Sequence, residues 1–448
     1  MRVAIVGSGP AGFYTASALQ AGPVPIEIDM LERLPTPWGL VRLGVAPDHP
    51  NIKAVSRAFE KIARADGFRF FGNVQVGLDV SHGDLTRLYD AVVYTVGAQT
   101  DRRLEIPGEE LPGSWAATEF VAWYNAHPDF QQLEFDLSGE RAVVVGNGNV
   151  ALDVARMLAL TPQELAPTDA TDEAIAALGS SGVRDIVVLG RRGPAQASFT
   201  PPELAELGEL AGADVVVDPA ELELDAASAA SLEEGRESAR RNIEILRGFA
   251  GREVVGKPKT LRLRFCVSPV QILGEGRVEA VEVARNRLEA DESGAIRAVQ
   301  TDEVELIPAS LVFRSVGYHG VPLPGLPFDD RRGTIANEGG RVVGEPGVYV
   351  AGWIKRGPSG VIGTNKKDAS ETVGLLLEDA EAGLLSRASD EPLEELLRER
   401  SVDFLEYAGW EAIDEHERTR GTEQGRPRIK LATWDALLQR ARQLGARG

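Results

Sequence analysis

Short apolar runs that end in glycine and pass into helical stretches recur along this chain. VAIVG (residues 3–7) is continuously apolar, Ala11 to Gln20 reads as a helix, and IEIDMLE (26–32) is a second run ending at Glu32. A short run without alternation reads as a strand buried on both faces, and strand, helix and strand in succession predict a βαβ unit. A second unit begins at AVVVGNG (142–148), continues through the helical NVALDVARMLAL and reaches the strand DIVVLG (185–190) only after a polar insertion, 161–182. Two further runs, YDAVVYTVGAQ (89–99) and ASLVFRSVGYHG (309–320), pass from a strand into a glycine turn and read as crossing points between two domains.

From 215 to 315 the apolar positions alternate, as in TLRLRFCVSPVQIL and RVEAVEVARNRL, which predicts antiparallel strands attached to the second unit. SLEEGRESARRNIEILRGFAGR reads as a helix with grouped basic residues. VYVAGWIKRGPSGVIGTNKKDASETVGLLLEDA (348–380) predicts a strand, a glycine-rich loop and a helix. The polar remainder carries Trp410 and Trp434 as packing anchors and no chemical motif.

Composition narrows the chemistry. The chain has 448 residues, a net charge of −20 and a single cysteine, Cys266. The negative field disfavours sequence-independent binding to nucleic acid or anionic membrane, so an acidic partner requires a local basic patch. One cysteine makes neither an internal disulfide nor a CxxC pair nor a cluster site, and the five histidines show no metal-binding spacing. Metal catalysis is not expected. No run approaches the roughly 20 apolar residues of a membrane helix, and the N-terminus enters a strand without a signal-peptide pattern, so a soluble, cytoplasmic protein is expected.

GSGPAG sets Gly7, Gly9 and Gly12 in GxGxxG spacing between a strand and a helix. Gly7 permits the tight turn, Gly9 lets backbone N–H groups approach a pyrophosphate, and Gly12 allows close helix packing. Glu32 ends the following strand, at about the 20-residue spacing where a carboxylate accepts from ribose hydroxyls. GNGNVA repeats the theme as GxGxxA with Gly146, Gly148 and Ala151, but its second strand ends in Gly190, Arg191 and Arg192. A carboxylate there would repel a 2′-phosphate, whereas guanidinium groups offer it forked donors. The acid-ended unit therefore suits FAD and the arginine-ended unit NADP, and two dinucleotides in one chain imply electron transfer between them.

Four blocks carry a family resemblance: LPTPWGLVRLGVAPDHPNIK (34–53), VVVGNGNVALDVAR (143–156), GRRGPAQASFTPPEL (190–204) and AGWIKRGPSGVIGTNKKDA (351–369). In these the chain resembles the adrenodoxin-reductase type of NADPH-dependent ferredoxin reductase, which uses FAD to relay electrons from NADPH to an iron–sulfur protein. The resemblance implies an α/β fold of two Rossmann-like three-layer dinucleotide-binding domains in a glutathione-reductase-like arrangement. The FAD domain would be discontinuous, 1–100 and 316–448, around an NADP domain at 101–315.

Carried over residue by residue, the resemblance implies FAD contacts from Ala11, Glu32, Leu40 and Val76, with Trp353 and the backbone of Gly360, Val361 and Ile362 near the flavin ring. Asn147, Gly148, Asn149 and Val150 would approach NADP, with Arg191 and Arg192 on its 2′-phosphate and Arg102 and Glu203 as further contacts. Gly360 would touch both cofactors. His49 and Glu206 would lie near the redox centre, bearing on proton supply or cofactor positioning. Read from the residues, His49 in the proline-bounded PDHPN fits a structural hydrogen-bonding role equally, and Glu206 in PPELAEL fits a solvated helix position.

Ferredoxins being acidic, Arg236, Arg240, Arg241 and Arg247, with Lys355, Arg356, Lys366 and Lys367, are the candidate docking cations. The alternative enzyme is the NADPH-oxidising flavoprotein subunit of a glutamate-synthase-like system, which would bring cysteine-ligated clusters. Disulfide reductases fail on the same cysteine count. A flavoprotein hydroxylase would not contain a complete second fingerprint, and a nucleotide-binding sensor without turnover finds no support in lost motifs.

Overall fold

The computed structural model describes residues 1–234, 237–292 and 294–443. The chain divides into two units, one of residues 1–100, 125–131 and 317–448, the other of residues 101–124 and 132–316. The short segment 125–131 belongs to the first unit through its polar side chains. Asp129 accepts from the Arg33 guanidinium at 2.6 Å and the Trp434 indole at 2.7 Å, and Asn125 Oδ1 accepts from Lys430 at 3.0 Å.

The first unit is built on a seven-stranded sheet. Arg2–Val6 pairs in parallel with Glu27–Glu32 on one side and Ala91–Tyr94 on the other; Phe68–Gly72 and Val348–Val350 extend it in parallel, and two short antiparallel strands close the edge. Alternate residues of the first strand enter different cores. Val3 and Ile5 pack with Phe13, Ala16 and Leu19 of the following helix, whereas Ala4 and Val6 pack with Leu85, Leu88, Leu393 and Leu397. A strand covered on both faces needs no polar alternation, which is why VAIVG reads as unbroken apolar sequence.

The second unit has a six-stranded, wholly parallel sheet in the order Ser114–Ala116, Leu311–Arg314, Arg141–Val145, Asp185–Gly190, Lys259–Phe265, Ala213–Val217. Ala142 and Val144 face a helical layer that includes Asn149–Ala159 and Glu237–Ala250. Val143 and Val145 instead face a three-stranded antiparallel sheet, Val267–Leu273, Ala280–Ala290 and Ile296–Pro308. The unit is thus three-layered, with helices on one side and a β-sheet on the other.

Two expectations from the pattern are corrected. TLRLRFCVSPVQIL is two strands, not one antiparallel run: Lys259–Phe265 joins the parallel sheet, and the chain breaks at Cys266, whose φ is +55°. Its alternation arises because Arg262 and Arg264 stand on one face paired with Asp185 at 3.0 Å and Glu221 at 2.8 Å. The polar insertion contains two short helices, Pro162–Leu165 and Asp172–Gly179, started by the Thr161 and Thr171 caps and anchored by buried Leu165, Ala174 and Leu178. The loop of 348–380 also holds a short helix, Trp353–Arg356, before Thr364–Glu381. No helix among the described residues is long and apolar enough to cross a membrane.

Candidate functional site

At the end of the first strand the chain turns through Gly7–Gly9 into the helix Pro10–Gln20. A Cβ on Gly12 would collide with the Gly7 carbonyl, so only glycine lets helix and turn pack this closely, while the space at Gly9 is open on the Cβ side. Glu32 is braced rather than free: Oε2 accepts from Ser8 N at 3.1 Å and Ser8 Oγ at 2.6 Å, and Oε1 accepts from Leu34 N at 3.0 Å. These bonds tie the acid to the glycine turn and take three of the about four acceptor sites of an ionised carboxylate, leaving lone-pair capacity on Oε1.

A second loop closes on the same turn. Trp38 N donates to Ser8 O at 3.0 Å, Trp38 has φ +82°, and a Cβ on Gly39 would lie 2.9 Å from Gly9 Cα. The helix Leu40–Leu43 therefore starts beside the fingerprint with Leu40 exposed. Ala11 is buried against Gly352, and Val76 packs at the rim of the core behind Val6 and Leu31. Past Gly352, Trp353 opens its helix with the ring 5.1 Å from Tyr318 and with a buried indole N–H that has no hydrogen-bond partner among the described residues. Gly360 and Val361 are exposed in the following loop, Ile362 is partly buried, and Val361 N donates to Thr364 Oγ1 at 3.1 Å.

The second fingerprint repeats the first. Gly146 has φ +135° and its Cβ would strike the Ser315 carbonyl, whereas Gly148 is open. Asn147 O accepts from Ser198 N and Phe199 N at 3.0 and 3.2 Å, and Asn149 Oδ1 accepts from Thr200 N at 2.8 Å; Val150 follows in the first turn of the helix. The 198–200 loop is thereby fastened to the glycine turn. Arg191 is exposed and Arg192 partly buried, and among the described residues neither guanidinium has an ion pair or hydrogen bond. Burial, together with the adjacent Arg191 charge, lowers the Arg192 pKa from its ordinary value. Two unneutralised cations side by side form a site for an anion. Arg102 is another exposed cation of this unit without an ion pair among the described residues, unlike Arg103, which pairs with Glu109 and Glu110.

Glu203 and Glu206 lie in the helix Pro201–Glu206, where both approach one buried cation: Arg156 Nη1 is 3.5 Å from Glu203 Oε2 and 3.4 Å from Glu206 Oε2, and Nη2 is 2.9 Å from Asp153. Glu203 is buried and Glu206 partly exposed. His49, in the first unit, is buried immediately before the helix Pro50–Lys53, with its N–H donating to Ala46 O at 3.0 Å. Burial pushes the Cys266 thiol up to about 11, so it is not a thiolate at neutral pH.

Comparison with known proteins fits this geometry. Residues 1–181 match the family model described as pyridine nucleotide-disulphide oxidoreductase. Over 98% of both chains the sequence is 52% identical to the NADPH-ferredoxin reductase FprA of Mycobacterium tuberculosis. The chain belongs to this reductase family. The structure of Mycobacterium tuberculosis FprA in complex with NADPH superimposes with a TM-score of 0.94, covering 98% of this chain and 99% of that one. The mitochondrial NADPH:adrenodoxin oxidoreductase of Arabidopsis thaliana is 42% identical over 98% of this chain and 95% of its own length.

The family's paired fingerprints are thus each built with supporting residues that sequence reasoning missed. Ser8, Trp38 and Gly39 are visible as residues but their service to the first turn depends on a positive φ in a tryptophan. Asn286, whose Nδ2 donates to the Arg191 carbonyl at 2.7 Å, is a lone polar residue in a strand and gives no motif. The docking cations need correction. Lys355 and Arg356 are turned inward: Lys355 Nζ is 3.0 Å from Asp368 Oδ1 and 3.0 Å from Thr372 Oγ1, and Arg356 donates to Asn365 at 2.8 Å and to Ser359. Asp368 also accepts from Gly352 N, so these cations serve the loop rather than the surface. Lys366 and Lys367 are exposed, as are Arg240, Arg241 and Arg247; Arg236 lies outside the described residues.

Proposed function

We propose that this chain is a ferredoxin–NADP(+) reductase that takes a hydride from NADPH onto FAD and passes electrons singly to a ferredoxin-type iron–sulfur protein. The carrying observation is the near-full-length likeness to NADPH-ferredoxin reductases together with two glycine fingerprints that end in opposite charge.

The residues present fit both groups. In the first unit the open Gly9 turn, the braced Glu32 and the unsatisfied Trp353 indole offer donors and acceptors to a dinucleotide with a polar ring. We assign the FAD contacts to Gly7, Gly9, Ala11, Gly12, Glu32, Leu40, Val76, Trp353 and the 360–362 backbone, and the FAD domain to 1–100 and 316–448. We assign the NADP domain to 101–315, in which Asn147, Gly148, Asn149 and Val150 form the pyrophosphate turn, Arg191 and Arg192 take the 2′-phosphate, and Arg102 and Glu203 add contacts. FAD, when bound, supplies the conversion of a two-electron donor to a one-electron one. The chain's part is to bind, orient and exclude water. His49 and Glu206 are assigned to positioning and proton supply, which hydride transfer itself does not require.

Ferredoxin docks, in this reading, on Arg240, Arg241 and Arg247 of the helix Glu237–Ala250 and on Lys366 and Lys367, with Lys355 and Arg356 withdrawn from that role. The test is NADPH-driven cytochrome c reduction with and without ferredoxins. A rate that depends strongly on ferredoxin supports the assignment; a colourless purified protein, or a flavin left oxidised by NADPH under anaerobic conditions, refutes it.

A further inference from the structure

We propose that Asn286 is a specificity-determining positioning residue, which holds the Arg191–Arg192 backbone in the conformation that leaves both guanidinium groups free for a 2′-phosphate. The proposal rests on the assignment of those arginines to NADP.

Both carbonyls of the dipeptide are held, one from the antiparallel sheet and one from the bend at Cys266 that leads into it. Asn286 Nδ2 donates to Arg191 O at 2.7 Å, and Cys266 N donates to Arg192 O at 3.1 Å. The two holds are joined, because Asn286 N donates to Cys266 O at 2.7 Å and Cys266 adopts φ +55° to present its N–H. A carbonyl only accepts, so the contact with Arg191 O fixes which way the Asn286 amide points, and Ser268 Oγ takes the second amide hydrogen at 2.7 Å.

The position is a costly one for an amide. Asn286 is 7% exposed on a strand whose buried neighbours include Val281, Val283 and Ala284, and its Oδ1 has no hydrogen-bond partner among the described residues. An unsatisfied buried acceptor is destabilising, a penalty that an apolar residue would avoid. The strand register against Ile296–Pro308 also shifts between Ala284 and Asn286, an irregularity of the kind that re-aims a side chain. Only a donor at this place serves the arginine carbonyl. Aspartate could not donate and would set a negative charge behind the phosphate site. Without the tether, two adjacent like charges gain by moving apart into solvent, and the paired geometry is lost.

The experiment measures adenosine 2′,5′-bisphosphate and 5′-AMP binding to the flavin-loaded enzyme by calorimetry. The two ligands differ only in the 2′-phosphate. Asn286→Ala is expected to weaken the bisphosphate about tenfold, the scale of one hydrogen bond to a preorganised site, and to leave 5′-AMP within about twofold. Ser268→Ala, a milder change that folds if Asn286→Ala does not, is expected to weaken the bisphosphate about threefold. Gln271→Ala, in the same sheet and with its side chain donating to Glu282 at 2.9 Å, serves as the control and changes neither ligand. Equal losses for both ligands, or unchanged selectivity in the Asn286 and Ser268 variants, overturn the proposal. The Arg191→Ala/Arg192→Ala double variant separates the two levels: selectivity surviving there refutes the arginine assignment itself, whereas selectivity lost there but kept in Asn286→Ala refutes only the tether.

Discussion

Replacing Arg191 and Arg192 with alanine tests the division of labour between the two units. Each guanidinium lies free of any ion pair or hydrogen bond among the described residues, so its removal leaves no polar partner there unsatisfied. A hydrogen bond to a charged group contributes about 1.5–3 kcal/mol, so a single substitution should weaken NADPH by about 10- to 150-fold. The pair is not additive. Arg192 is partly buried beside Arg191, whose charge opposes its own, so removing one relieves the other. The double variant is therefore expected near 2–4 kcal/mol, roughly 30- to 1000-fold, rather than at the sum. NADH, which lacks the 2′-phosphate, should change by less than about twofold, a few tenths of a kcal/mol. Anaerobic stopped-flow reduction of the bound flavin, followed at its visible absorbance over a range of each nucleotide, reads both constants. The NADPH effect should shrink at high salt, because exposed charges are screened. Equal losses for NADPH and NADH, or loss of flavin from the variant, would refute the assignment.

Glu32→Ala removes the acceptor of three bonds from Ser8 and Leu34, so it is expected to lower stability by about 1–3 kcal/mol and to release flavin on gel filtration; full flavin retention sinks its role. Arg42 and Glu417 form a buried pair at 2.5 Å beside the Leu40 turn, and Glu417→Gln should cost about 3–5 kcal/mol in denaturant unfolding, while a change below about 1 kcal/mol would contradict the buried charge. Asp101 is held up to about 6, chiefly by burial. Its folded value exceeds the ordinary 3.8, so the stability it contributes is present below that value and lost as pH rises through about 6. Asp101→Asn should therefore flatten the wild-type fall in Tm between those values, and parallel pH curves would count against it. Charge reversal at Arg240, Arg241 and Arg247 should slow ferredoxin reduction and its salt response while leaving the rate with a neutral dye; identical responses for both acceptors argue against docking there.

Much of the architecture was legible because burial on two faces leaves a simple mark. The strands at Arg2–Val6, Glu27–Glu32, Arg141–Val145 and Asp185–Gly190 are unbroken apolar runs, and the glycine turns follow them directly. Lys259–Phe265 was misread for a physical reason: its outward face carries arginines neutralised by Asp185 and Glu221, which imitates the alternation of a half-exposed antiparallel strand. The charge-bearing ends of both sites were legible, whereas their supports were not. A tryptophan at φ +82°, a cysteine at φ +55° and a buried asparagine are each unremarkable letters until the backbone that they serve is known. The inward turn of Lys355 was hidden likewise, since Asp368 meets it only once the helix Thr364–Glu381 has formed.

The two nucleotide sites share a turn and differ in what their polar bonds hold. In the first, loop N–H and hydroxyl groups spend their bonds on the side chain proposed to meet the ribose, so Glu32 is oriented directly through Ser8 and Leu34. In the second, the bonds go to the backbone carbonyls of Arg191 and Arg192, and the side chains are left without partners among the described residues. The difference follows from charge. A carboxylate is an acceptor that backbone N–H groups can brace, and an ionised acid so bonded keeps acceptor capacity on Oε1 for a ribose. A guanidinium is donor-only, so an acceptor placed on it would consume the hydrogens, and weaken the positive charge, that a phosphate needs. Holding an arginine ready for an anion therefore requires fixing its main chain instead. Exchanging cofactor preference by swapping the terminal residues alone should accordingly fail to transfer full selectivity, because the support proposed for the second unit lies away from those residues, in the antiparallel strand at Asn286 and the bend at Cys266.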